Sequence, residues 1–230
     1  SYRLEEDDNA AFTSPISRYE GDSSQFAVTG QLPGLWYYRV RASNATGDGA
    51  WSNVQTVSVI PEAPLLAPIS NPDGDGYYLV DWSAVSGATS YRLEEDDNSG
   101  FTSPTTRYNG VNSQYQVSGQ PTGLWYYRVV ATCAGGDSPW SNTESVGVVP
   151  LAPVLFAISN PDRNGDYLVK WSEVTGATSY RLEEDDNAAF TSPAMRYMGT
   201  STQFQVYGQE IGAWYYRVRA SNAIGDSPWS

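Results

Sequence analysis

Histidine is absent from this 230-residue chain, and lysine and cysteine each occur once. Without histidine the commonest general base and the commonest metal ligand are missing. A single cysteine, Cys133, excludes an internal disulfide and any Cys-based zinc site. No apolar run approaches the roughly 18–20 residues that a membrane helix needs. Basic residues are also scarce: 13 Lys and Arg stand against 26 Asp and Glu, a net charge of −13. A field of that sign repels phosphate backbones, so no nucleic-acid partner is expected.

Aromatics and turn formers are plentiful, with 17 Tyr, 8 Trp, 21 Gly and 14 Pro. Aromatic side chains suit a pleated, half-buried surface, so the composition reads as β-structure. Apolar residues make up 40% of the chain, enough for ordinary cores.

The dominant feature is an internal repeat. Ser-Tyr-Arg-Leu-Glu-Glu-Asp-Asp-Asn begins at Ser1, again at Ser90 and again at Ser179, a spacing of 89 residues both times. The register holds at Phe12/Phe101/Phe190, Tyr19/Tyr108/Tyr197, Trp36/Trp125/Trp214 and Trp51/Trp140/Trp229. Such a period is too long for a helical solenoid unit and fits a whole small β-domain. The Pro-rich stretches around Pro61 and Pro150 are the expected boundaries, because proline lacks a ladder donor and ends strands. They divide the chain into 1–63, a partial domain without its first two strands; 64–152, a complete domain; and 153–230, a domain without its last strand. The ends read as cuts through a longer repetitive chain. Exchange of strands between chains is the alternative, although joining the two ends would duplicate the middle strands.

In the complete copy, strands are expected at 65–70, 77–82, 90–95, a short edge around Arg107-Tyr108, 114–118, 125–132 and 141–149, with Trp82 as core anchor. Seven strands without an amphipathic helix predict an all-β sandwich of two sheets.

These residues resemble a fibronectin type III domain of the kind found in secreted bacterial proteins. The resemblance is carried by Trp82 with Ser86-Gly87-Ala88-Thr89-Ser90-Tyr91, by Trp125-Tyr126-Tyr127-Arg128-Val129, and by Gly136-Asp137-Ser138-Pro139-Trp140-Ser141. It implies tandem seven-stranded immunoglobulin-like sandwiches, an extracellular or cell-surface location, and a structural, spacer or adhesive role. One departure stands out. The family has a Tyr at the start of the sixth strand, forming a corner, where this chain has Trp36, Trp125 and Trp214. Tryptophan donates one hydrogen bond and accepts none, so a different corner with more apolar packing is expected.

Eleven of the thirteen basic residues recur at or beside three strand positions per repeat. By the period-two rule, Tyr91 and Leu93 point inward while Arg92 and Glu94 point outward. Likewise Trp125, Tyr127 and Val129 face in, and Tyr126 and Arg128 face out. A solvated Arg/Glu ladder is the simple expectation. The sharper one makes this face, through Arg39, Tyr37, Arg92, Glu94, Tyr126, Arg128 and Arg217, a contact with a neighbouring chain.

Other candidates are fewer. The recurring acidic run offers Glu95, Asp96 and Asp97 as calcium ligands by oxygen chemistry, against a plain strand-end turn. Its adjacent carboxylates have no cleft between them, which argues against glycosidase chemistry and against an enzyme altogether. Tyr77 and Tyr78 form a candidate aromatic platform for sugar. Asn44-Ala45-Thr46 is a formal glycosylation sequon broken in the other copies, and Cys133 reads as a loop-side substitution.

The function expected is therefore a non-enzymatic extracellular stalk, sheath or filament subunit. A spacer or carbohydrate-contacting array of a secreted enzyme or adhesin is the alternative. The expected partners are neighbouring chains or repeats and, secondarily, cell-surface polysaccharide; no cofactor is implied.

Overall fold

A computed structural model describes all residues from Ser1 to Ser230. Every regular element is a strand. The chain separates into two compact units. One comprises Ser1–Pro68, Val80–Tyr115 and Tyr126–Glu144; the other comprises Ile69–Leu79, Gln116–Trp125 and Ser145–Ser230.

The middle repeat carries the full set of strands. Its larger sheet runs Gly136–Asp137, Gly123–Cys133, Ser90–Asp96, Thr105–Gly110, with Glu144–Val148 also paired to Gly123–Cys133. Its smaller sheet pairs Tyr78–Asp81 with Gln114–Val117. The alternation written in the sequence places Tyr91, Leu93, Tyr127 and Val129 inside, all buried, as the period of two requires. Trp82 anchors the core, its ring 5.8 Å from Tyr91 and 5.9 Å from Tyr108.

Two expectations about strands need correction. The first strand, expected over 65–70, shrinks to a single bridge between Leu66 and Trp82, because Pro64 and Pro68 bracket it and withhold ladder donors. The edge around Arg107-Tyr108 is longer than expected and forms the six-residue strand Thr105–Gly110.

The third repeat reproduces the plan with Ala194–Gly199, Ser179–Asp185 and Tyr215–Ser221 in one sheet and Tyr167–Lys170 with Gln203–Val206 in the other. Its core again centres on a tryptophan, Trp171, against Tyr180 and Tyr197. In the first repeat Ile16–Gly21, Tyr2–Asp7, Gly34–Asn44, Gly47–Asp48 and Gln55–Val59 form one sheet. Residues 25–28 (Gln-Phe-Ala-Val) are not a strand there, although the matching Gln-Tyr-Gln-Val and Gln-Phe-Gln-Val are strands in the other two copies. A strand exists only where a neighbour completes its ladder.

Candidate functional site

The outward Arg/Glu face reads as a solvated ladder, and the structure corrects this for the carboxylates. Glu94, Glu95 and Asp96 are all buried, at 6%, 4% and 4% exposure. The ladder with Gly123–Cys133 runs through this point without a shift, so the carboxylates keep alternating, while the bulge in the pairing with Thr105–Gly110 leaves Arg107 as the extra residue of the neighbouring strand. Three consecutive carboxylates therefore go to three different sets of donors.

Glu94 lies opposite Arg128 in the ladder and accepts from its Nε at 3.0 Å and its Nη2 at 2.7 Å. Arg92 supplies a further bond at 2.6 Å. The Arg128 guanidinium is itself sandwiched, 4.2 Å from the Phe101 ring and 4.1 Å from Trp140. Two aromatic faces on one cation shut water away from the Glu94 carboxylate beneath it. Phe101 reaches this position in the left-handed region, at φ 49°, a conformation that costs a bulky residue energy and that needs such compensation. Phe12 and Phe190 repeat it at 51° and 49°. Arg39 with Glu5 at 2.7 Å and Arg217 with Glu183 at 2.6 Å repeat the ion pair under the same kind of stack.

Glu95 points to the other side and accepts from the buried Tyr127 hydroxyl, with Arg107 at 3.6 Å. In the first repeat the corresponding Glu6 accepts from Tyr38 at 2.5 Å and pairs with Arg18 at 2.9 Å. Burial pushes the Glu6 carboxyl up, but bonds from Arg18, Tyr38 and Gln31 outweigh it and hold the group below the usual carboxylate value. The same burial, with the Glu6 charge beside it, pushes the Tyr38 phenol up to about 12. Tyr216, against Glu184, is raised in the same sense.

Asp96 closes the following loop. It accepts from the Ser103 N–H at 2.9 Å, the Asn98 side-chain amide at 2.8 Å and the Asn98 N–H at 3.3 Å. Of the calcium candidates, Glu95 and Asp96 thus spend their oxygens on protein donors, and Asp97 lies exposed beside them. No three His, Cys, Asp or Glu residues are grouped to hold a metal ion. The Asp96 bonds tie the loop of Asn98 and Ser103 back to the strand end.

The expected contact face is mostly consumed within the fold. Arg39, Arg92, Arg128 and Arg217 are all ion-paired, and Glu94 is covered. Tyr37 and Tyr126 remain half-buried beside them. The sequence missed Phe101 and Trp140 as the plates of the stack. Their fixed register with Arg128 in all three copies was the available signal.

The tryptophan corner also differs from expectation. Trp125 donates its indole N–H to the Pro121 carbonyl at 2.9 Å, as Trp36 does to Leu32 at 2.9 Å and Trp214 to Glu210 at 3.0 Å. A corner needs only a donor aimed four residues back, and indole supplies one. Cys133 is likewise not loop-side: it is the buried last residue of its strand. Its sulfur accepts from the Gly135 N–H at 3.2 Å, where Asn44 and Asn222 accept from Thr46 and Ile224 at 2.9 Å. The aromatic platform splits, since Tyr78 is buried while Tyr77 is 64% exposed.

The repeats meet through matching contacts. Gly87, at φ +76°, sits so close to Pro33 that a Cβ would lie 2.8 Å from the ring, and Gly176, at φ +77°, stands in the same relation to Thr122. Gly136 faces Ile60, and Gly225 faces Val149. Each pair occupies equivalent positions one period apart. Both junctions are therefore built to one pattern.

No family model matches the chain. Among solved structures, a two-domain fibronectin type III segment from chicken tenascin superposes with a TM-score of 0.54 at 17% identity, covering 74% of this chain and 95% of that one. A chicken CNTN1 structure of domains FN1–FN3 gives 0.31 at 17% identity, covering 100% and 86%. The structure described as FN3tt mut gives 0.32 at 21% identity, covering 36% and 91%. With its stacked sheets, tryptophan corners and repeated junctions, the chain has the fold of tandem fibronectin type III domains.

Proposed function

We propose that this chain is a non-enzymatic structural segment of an extracellular stalk, sheath or filament. The observation that carries the reading is the repeated junction: Gly87 on Pro33 and Gly176 on Thr122 place successive repeats by the same contact. A glycine is required at each because any side chain would collide, so these positions serve spacing rather than chemistry. The sandwiches themselves are held by buried carboxylate–arginine–aromatic stacks, which spend their polar groups on stability. Lateral association is assigned to the outer face beside Tyr37 and Tyr126, where the paired arginines leave aromatic edges at the surface.

Negative-stain imaging of the native material tests the reading. Ordered fibres or sheets, or a regular surface layer, are expected. Isolated monomers at high concentration would remove the filament role, and a measured turnover in this segment would overturn the non-enzymatic one.

A further inference from the structure

Every basic residue except Arg163 and Lys170 is held in an ion pair. The acids are twice as numerous, so negative charge is left over, and it is not evenly placed. A groove of about 840 Å³ lies where the second repeat meets the third, with Val149, Pro150 and Leu151 in its wall. Its charged lining consists of Asp73, Asp75 and Glu173, with no Lys or Arg. A second groove, of about 490 Å³, lies at the other junction among Pro33, Val59, Ile60 and Val85. Its only charged lining residue is Glu62. None of these four carboxylates enters an ion pair; Asp75 merely accepts from the Tyr77 N–H at 2.8 Å. Tyr77 and Leu151 stand out at the larger groove, 64% and 76% exposed.

Apolar walls carrying charge of one sign focus that field and favour a ligand of the opposite sign. An exposed tyrosine face adds a second attraction for a cation. We propose that the larger junction groove binds an extended cationic segment of a partner protein, in which Lys or Arg alternates with apolar residues. The apolar side chains lie along Val149–Leu151 while the cations meet Asp73, Asp75, Glu173 and the Tyr77 ring. A second copy of this chain does not fit the role, because its two basic residues outside ion pairs, Arg163 and Lys170, lie seven positions apart and do not form an alternating cationic segment. The inference does not depend on whether the chain forms filaments.

The test is fluorescence polarisation with a labelled dodecapeptide of alternating Lys and Leu, against the 230-residue protein, with Ser/Leu and Glu/Leu peptides of the same length as controls. The double variant Asp73→Lys with Glu173→Lys changes two exposed side chains and leaves the cores untouched. It is expected to weaken the Lys/Leu peptide at least about tenfold. Asp97→Lys, an exposed acid outside the grooves, is expected to weaken it less than about threefold. Hydrogen exchange at 148–152 should slow on binding, which checks the location without any variant. Equal loss in the groove and Asp97 variants would mean diffuse attraction to an acidic surface and would overturn the proposal. So would equal binding of the Ser/Leu peptide, or unchanged exchange at 148–152.

Discussion

Replacing Arg128 by Met keeps an apolar stem between Phe101 and Trp140 and removes the charge above Glu94. Glu94 is 6% exposed, so its carboxylate has little water to turn to. Breaking a buried ion pair costs about 3–5 kcal/mol when the surviving charge is left alone. Two features reduce that figure here. Arg92 remains 2.6 Å from Glu94, and the Arg128 side chain is itself 22% exposed. The lost cation–ring contacts, roughly 0.5–1 kcal/mol each, act in the opposite direction. We expect a net loss of about 2–3 kcal/mol in the middle repeat. Hydrogen exchange followed by mass spectrometry reads this locally: amides of Gly123–Cys133 and Ser90–Asp96 should exchange about 30- to 150-fold faster. The distant strand Tyr215–Ser221 should not change. The double variant with Glu94→Gln should cost less than the two single losses combined, because neither charge is then stranded. Acceleration of less than threefold in Arg128→Met would refute the claim that this pair is a buried, water-excluded element.

Acid should loosen all three repeats. The Asp185 carboxyl is held below its ordinary value by the Ser192 N–H, against burial, with the Asn187 N–H helping; in Asp96 burial opposes and the Ser103 and Asn98 bonds prevail. A lowered folded value means stability that is present above the unfolded value and lost as pH falls through the folded one, so urea midpoints should drop below about pH 4, less steeply in Asp96→Asn. Trp125→Phe removes the donor to the Pro121 carbonyl while keeping an aromatic ring, and should cost about 1 kcal/mol in a urea titration. Gly87→Ala places a methyl against Pro33 at a positive φ, and should raise exchange around Pro33 and Gly87 while leaving the Ser90–Asp96 ladder protected.

The sequence alone determined the class and the plan of this protein. The 89-residue register marked equivalent positions, and the period-two alternation placed Tyr91, Leu93, Tyr127 and Val129 inside; both are properties of the chain, independent of context. Trp82 as core anchor followed from the same pattern. What a residue faces across space was not legible. Glu94 looked exposed by alternation, and it does stand opposite Arg128 on that face, but Arg128 with Phe101 and Trp140 covers it. Tryptophan at the corner pointed to a differently built corner with more apolar packing, and which carbonyl its single donor meets depends on the backbone path back to Pro121. Cys133 looked like a loop substitution and turned out to fill the acceptor position of Asn44 and Asn222. Local sequence could not decide even a strand's existence, since residues 25–28 share the pattern of Gln114–Val117 and lack only a partner strand. Periodicity travels along the chain, whereas ladders, stacks and junctions are made between segments far apart in it, and those only the tertiary structure decides.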